Sequence, residues 1–249
     1  MKKKENILVV IISYMLYLVL VLVLQVFTAV RFLDEIAYAV TFEQRDPFYA
    51  VNMTDPKNPT VLGELDISGF SEYLHPIEDG KILAVGQEAD DRGVILGLQI
   101  TLFNASDPAD LTLIDRLVLE QDPNTYSSSS VSWEPRAFRY FTASEDLGIL
   151  IIPLNMYSYG KDYTDYKSFE GFAVFSVEND QISRRFDIDH PVNYDHDYEC
   201  DSWCGLLTER SFVINGDIIT MKDQSIISTD LATESEEWSI DTRRSVCCV

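Results

Sequence analysis

Apolar and polar residues alternate in short runs along most of this chain, and one arrangement of them is written twice. Residues 49–65 read YAVNMTDPKNPTVLGEL and residues 101–117 read TLFNASDPADLTLIDRL. An apolar run, an Asn, a Ser/Thr-Asp-Pro turn and a second apolar run recur in one order, the mark of an array of supersecondary units. Runs rich in β-branched and aromatic residues, bounded by Asp, Asn, Pro and Gly, predict short antiparallel strands. A first set covers 36–42 (IAYAVTF), 48–52 and 61–67, and a second covers 81–86, 97–104 and 111–119, with EADDRG at 88–93 as an acidic hairpin tip. A third set is spread wider, over 148–153, 171–177 and 181–188, and there the turn END replaces SDP. The fourth covers 210–214, 217–221, 225–230 and 238–240, with Asp230-Leu231 in the slot of Asn52-Met53. Beyond the N-terminus only 135–143 carries a hint of a helical turn.

Four copies of one strand program fit the blades of a β-propeller better than a single sandwich, because a twisted sheet cannot bury both its faces alone and stacks on its neighbours about a central channel. The expected fold is all-β, a propeller-like array of about four antiparallel blades, at about 31–68, 72–120, 136–190 and 205–241 within a region 31–242, followed by a tail at 243–249. The N-terminus differs. After a basic stub at 1–6 (MKKKEN), residues 7–24 are apolar with only Ser13 interrupting, and the apolar character continues weakly to Val30. At about 1.5 Å per residue, about twenty such residues cross a hydrocarbon core of about 30 Å. A signal peptide is the alternative, but the run is long for one, and Phe27 stands where a small residue should precede Ala29. We therefore expect one transmembrane helix over 7–30. Lys2, Lys3 and Lys4 on its amino side place the N-terminus in the cytoplasm and the bulk of the chain outside, secreted if the leader is cleaved.

The formal charge is -22, from 19 basic and 41 acidic side chains. A surface so negative repels phosphate backbones, which excludes nucleic acid as a partner. The sequons at Asn52 and Asn104 are candidate glycosylation sites that agree with an outside location; equally, these side chains suit the turns they open. Of the four cysteines, Cys200 and Cys204 flank a loop short enough that a disulfide needs a tight bend. Cys247 and Cys248 sit in a terminal SVCCV that does not fit a prenylation box.

Candidate chemistry is sparse. The stretch DIDHPVNYDHDYECD gathers Asp187, Asp189, Asp195, Asp197 and Asp201 with His190 and His196, and alternating carboxylates can supply the six to eight oxygens that calcium takes. It lacks the glycine and terminal glutamate of an EF-hand loop, and a solvated acidic loop accounts for it as well; the histidines admit a transition metal. Calcium is thus the one cofactor to look for. His75, in EYLHP, reads as a structural hydrogen-bonding group. No nucleophile motif and no phosphate loop is present. Tyr157, Tyr159, Tyr163 and Tyr166, with Phe169, lie in a long insertion between strands and form the candidate partner surface, since tyrosine on a loop offers apolar area with a polar tip; packing on their own blade accounts for them equally well.

Several stretches in order, AYAVTFEQRDPFYAVNMTDP at 37–56, VLGELDISGFSEYLHP at 61–76, WEPRAF at 133–138 and RSFVINGDIITM at 210–221, resemble the secreted bacterial and archaeal proteins with a C-terminal β-propeller domain distantly related to WD40 repeats. The resemblance runs from about residue 31 to residue 240. It implies an extracytoplasmic propeller without catalytic residues to carry over. That domain is considerably longer in the family, so a partial copy is implied here. The expected function is a membrane-anchored, extracytoplasmic binding or scaffolding module with a protein or glycan partner and no catalytic activity. The alternatives are a propeller hydrolase or lyase using carboxylates at the mouth of the channel, and a nonfunctional fragment of a longer protein.

Overall fold

The computed structural model describes residues 27–41, 46–90, 92–119, 124–160, 165–190, 207–223 and 225–242. Four antiparallel sheets follow one another along the chain, each made of consecutive strands. The first is β1 (Phe27–Leu33), β2 (Ile36–Thr41), β3 (Asp46–Asn52) and β4 (Thr60–Ile67); the second is β5 (Phe70–Pro76), β6 (Lys81–Ala89), β7 (Ile95–Asn104) and β8 (Thr112–Val118). The third has β10 (Arg139–Ser144), β11 (Leu147–Tyr159), β12 (Tyr166–Glu178) and β13 (Gln181–Asp189), with β9 (Thr125–Ser128) pairing with the far half of β11. The fourth is β14 (Leu207–Ile214), β15 (Asp217–Asp223), β16 (Ser225–Asp230) and β17 (Ser235–Asp241).

Turn chemistry fixes these hairpins. Asn179 (φ 50°) and Asp180 (φ 63°) both sit in the left-handed region between the paired residues Glu178 and Gln181, the two-residue turn whose twist matches that of the strands. Asn215 (φ 56°) and Gly216 (φ 97°) do the same between Ile214 and Asp217. The repeat read from the sequence has a hydrogen-bond signature. In three sheets the residue after the third strand returns its N–H to the turn that precedes the second: Met53 to Glu35 O (2.7 Å), Ala105 to Gly80 O (2.8 Å) and Leu231 to Gly216 O (3.1 Å). Beside each, Asn52, Asn104 and Asp230 accept a backbone N–H two residues on, at 2.8, 3.0 and 2.9 Å. All three aligned positions are therefore turn builders in the way short polar side chains allow.

Each pair of adjacent sheets encloses its own apolar core. Tyr38, Val40 and Phe48 of the first sheet meet Leu74, Ile82, Ala84 and Phe103 of the second. On the other face of the second sheet, Leu83, Val85, Ile100 and Leu102 meet Leu150, Ile152, Ala173 and Phe175 of the third. The third turns Ile149, Ile151, Phe172 and Val174 toward Ile218 and Ile227 of the fourth. The strict period of two along a strand is what lets one strand serve two cores. The sheets also approach closely at their backbones: a side chain at Gly63 of β4 would lie 2.3 Å from Pro108 O, in the turn between β7 and β8.

Two expectations need correction. Residues 27–30, assigned above to the end of the apolar helix, lie in β1, where they pair with β2 from Phe27↔Thr41 onward; an apolar run does not by itself separate strand from helix. The helical turn expected within 135–143 is present as a short 3-10 turn at Pro135–Ala137, before β10 begins. Finally, the first strand of each of the first three sheets is absent from the sequence-predicted sets. Among the described residues no helix is long and apolar enough to cross a membrane, and residues 7–26 lie outside them.

Candidate functional site

The two long strands β11 and β12 outrun their neighbours. β10 pairs with β11 only up to Ile151 and β13 with β12 only from Gly171 onward, so the hairpin beyond Asn155 and Glu170 projects, flanked by β9. Register puts a set of tyrosines on one face of it. Tyr157 is directly opposite Tyr126 of β9, and Tyr159 is opposite Tyr166. Paired residues share a face, and so do residues two apart. The four rings thus form a platform: Tyr157 stacks on Tyr166 at 6.2 Å and Tyr159 tilts against Tyr166 at 5.4 Å. Tyr126, Tyr159 and Tyr166 are 49%, 44% and 53% exposed. The predicted aromatic surface is therefore built on strands, with Tyr126 added from far upstream and Tyr163 outside the described residues.

The same face of β11 runs down to a buried polar network at the junction with the fourth sheet. The Tyr157 hydroxyl donates to Glu170 Oε1 at 3.1 Å, and Asn155, opposite Glu170, accepts from Lys222 Nζ at 3.1 Å. Lys222, only 4% exposed, also forms an ion pair with Glu209, whose other oxygen accepts from the Ser130 hydroxyl. Burial raises the Asp223 carboxyl above its ordinary range; Lys222 works against this, and Glu209 and Glu170 add to it. The network thus ties β9's flank, the base of the hairpin and the fourth sheet together, and neither Lys222 nor Glu209 was singled out by sequence pattern.

His190 closes the junction from the other side. Its Nδ1 is 2.6 Å from Ser225 Oγ and its Nε2 is 2.8 Å from Thr220 Oγ1, while its ring meets Phe172 edge-on. Ser225 Oγ donates on to Lys222 O and Thr220 Oγ1 to Ile227 O, so both hydroxyls can accept from the ring and it is burial, not hydrogen bonding, that disfavours its charged form. Burial, helped by the Lys222 charge, lowers its pKa from 6.5 to about 4. Half-buried His75, hydrogen-bonded to Tyr73 at 3.2 Å, is likewise lowered to about 4, by burial and then by Arg31. A histidine whose pKa is depressed on folding takes up a proton more readily when unfolded, so stability falls as pH drops from about 6.5 to about 4 and levels off below. For His190 the span corresponds to about 3 kcal/mol. Raised Asp223 acts in the opposite sense, taking up its proton first in the folded state. Urea midpoints measured between pH 7 and pH 4.5 should therefore fall, and His190→Gln should remove about half of the slope; an unchanged slope would show that the ring is already solvated.

The remaining predicted sites are dispersed. Asp187 is paired with Arg184 (2.6 Å) on β13 and Asp189 ends that strand. Asp195, Asp197, Asp201, His196, Cys200, Cys204, Cys247 and Cys248 lie outside the described residues. Asn52 and Asn104 stand at the ends of β3 and β7. An acidic cleft of about 270 Å³ opens between the second and third sheets, lined by Glu78, Asp79, Glu145, Asp146 and Asp180, with Lys81 paired to Asp180 at 2.6 Å. Among the described residues no group of three or more His, Cys, Asp or Glu is placed to hold a metal ion.

The profile of the beta propeller domain family matches residues 25–234. An uncharacterized protein of Methanocaldococcus jannaschii is 33% identical over 167 residues, 66% of this chain and 22% of that protein. One of Archaeoglobus fulgidus is 32% identical over 153 residues, 60% of this chain and again 22% of its own length. The chain thus spans 22% of the length of each of these curated relatives. Among solved structures, apo AztD from Citrobacter koseri aligns with 89% of this chain and 48% of its own at 11% identity and a TM-score of 0.40. A europium-containing methanol dehydrogenase aligns with 86% and 42% at 9% identity and a TM-score of 0.45. With four consecutive antiparallel sheets stacked through three repeated cores, and with the family profile covering most of its length, the chain belongs to the beta propeller domain family.

Proposed function

We propose that this chain is a membrane-anchored binding module held outside the cytoplasm, in which the tyrosine-faced hairpin of the third sheet engages a protein or glycan partner. The observation that carries the reading is the alignment of Tyr126, Tyr157, Tyr159 and Tyr166 on one face of a hairpin that projects past its own sheet. Exposed rings of this kind form an apolar patch with polar tips and lose little rotamer freedom on contact, which suits recognition. The rings lean on a rigid base, since Asn155, Glu170 and Lys222 lock the strands beneath them. The acidity of the chain favours a neutral or cationic partner over an anionic one. The anchoring half of the proposal is supported by the apolar run behind Lys2, Lys3 and Lys4.

The test has two arms. A membrane-impermeant maleimide added to intact cells should label Cys247 and Cys248, and labelling only after lysis sinks the outside location. Full-length protein with Tyr159→Ser and Tyr166→Ser should keep its unfolding midpoint but lose the oligosaccharides or surface proteins that wild type retains; equal retention by both rules the platform out. A second reading, hydrolase or lyase chemistry, draws on Asp223, whose carboxyl burial raises. It requires turnover of an oligosaccharide that Asp223→Asn abolishes.

A further inference from the structure

The tyrosine platform continues the face that the third sheet turns to the fourth. β11 and β12 pair without a shift from Leu147↔Glu178 to Tyr159↔Tyr166, so the alternation of sides is unbroken along both strands. Asn155, Tyr157 and Tyr159 therefore share a side with Ile149 and Ile151, and Tyr166 and Glu170 share it with Phe172 and Val174, which pack with Ile218 and Ile227 of the fourth sheet. β15 reaches only to Asp223, one residue past the Lys222 whose ammonium meets Asn155. The hairpin thus stands over the end of that strand like the riser of a step, and the inside corner of the step is acidic. Glu170 accepts the Tyr157 hydroxyl at 3.1 Å, Glu209 is paired with Lys222, and the Asp223 carboxyl feels the charges of both glutamates as well as that of Lys222. Three carboxylates, Glu170, Glu209 and Asp223, so share the one ammonium of Lys222, beside the half-exposed rings of Tyr126, Tyr159 and Tyr166.

We infer that the partner of this face is a protein segment carrying arginine, whose guanidinium lies flat on the tyrosine rings with its N–H groups turned to Glu170 and Asp223. The inference rests on the binding reading above and narrows it from a protein or glycan to a cationic peptide segment. Two attractions point to the same place. The face of a tyrosine ring is the negative side of its quadrupole and draws a cation held within about 6 Å of its centre. The carboxylates at the corner supply the counter-charge, and a net charge of -22 adds a long-range pull on a basic partner. A neutral glycan stacks on the same rings but gains nothing from that charge, and an anionic one is repelled by it. Arginine fits better than lysine, because its head is planar and weakly hydrated and its fork of donors matches a carboxylate while its flat side stacks. Tyrosine and arginine are also the side chains that most often carry the energy of protein contacts.

Fluorescence anisotropy on the full chain in mild detergent tests this with two labelled probes. One is a peptide of alternating glycine and arginine; the other carries citrulline in place of arginine, which keeps the planar head and removes the charge. The arginine peptide should bind, and the citrulline peptide should bind about tenfold more weakly or worse. Tyr159→Ser together with Tyr166→Ser, which alters no charge, should weaken the arginine peptide by about tenfold. Glu170→Gln, which keeps an acceptor for the Tyr157 hydroxyl, should weaken it too. Equal affinity of wild type and the tyrosine variant for the arginine peptide overturns the inference, because general acidity alone then holds the cation. Equal affinity for the two peptides overturns it as well, since charge then plays no part. A wild type that ignores the arginine peptide but retains neutral oligosaccharides through Tyr159 and Tyr166 overturns the inference and leaves the binding reading standing. A wild type that retains no peptide, oligosaccharide or surface protein through those rings sinks both.

Discussion

Lys222→Ala is expected to destabilise the protein by about 3–5 kcal/mol, the range for removing one partner of a buried ion pair. The ammonium is only 4% exposed, is paired with Glu209 and donates to Asn155. Without it the Glu209 carboxylate keeps the Ser130 hydroxyl but loses its counter-charge in a site already crowded by the Asp223 carboxyl. Urea unfolding followed by the fluorescence of the three tryptophans reads the effect directly. The double change Lys222→Met with Glu209→Leu should recover most of the loss, because replacing both charges with apolar groups of similar size is near neutral. A loss below about 1 kcal/mol for Lys222→Ala would place the pair among solvated surface bridges and remove the rigid base claimed for the tyrosine platform.

Phe103→Ala should cost a comparable amount, about 3–5 kcal/mol. The ring is fully buried between the first and second sheets, stacked on Phe48 with centroids 4.6 Å apart, and Phe48 in turn stacks on Tyr38 at 5.8 Å. Truncation therefore opens a cavity in the middle of a core that backbone hydrogen bonds on both sides keep from collapsing. Phe103→Leu refills most of the space and should cost markedly less. If both variants unfold at the wild-type urea midpoint, the first two sheets do not share the core described for them.

Much of the architecture was legible because the chain repeats itself and its sheets are local. Asn52 and Asn104 mark equivalent turns, and Asp230 takes the same role despite a different residue type, because all three side chains accept the N–H two residues on. The first strands were harder. β1 continues an apolar run that reads equally as the end of a helix, while β5 (FSEYLHP) and β10 (RYFTAS) mix polar and aromatic residues without clean alternation. Part of the site was visible too, since the tyrosines cluster in sequence, but they read as an insertion loop, whereas β11 and β12 extend through Tyr159 and Tyr166. Tyr126 was not, because its partner in the register is Tyr157 and nothing local announces that pairing. Lys222 had a signal that went unused. In DIITMKD it shares parity with Ile218 and Thr220, which places it on the buried side of the strand.

Because every sheet consists of consecutive strands and packs on the sheet before it, the molecule suits assembly in the order of synthesis. A sheet leaving the ribosome finds its docking surface already formed, and no strand waits for a distant partner except β9, whose short pairing to β11 completes only after the hairpin beyond it has emerged.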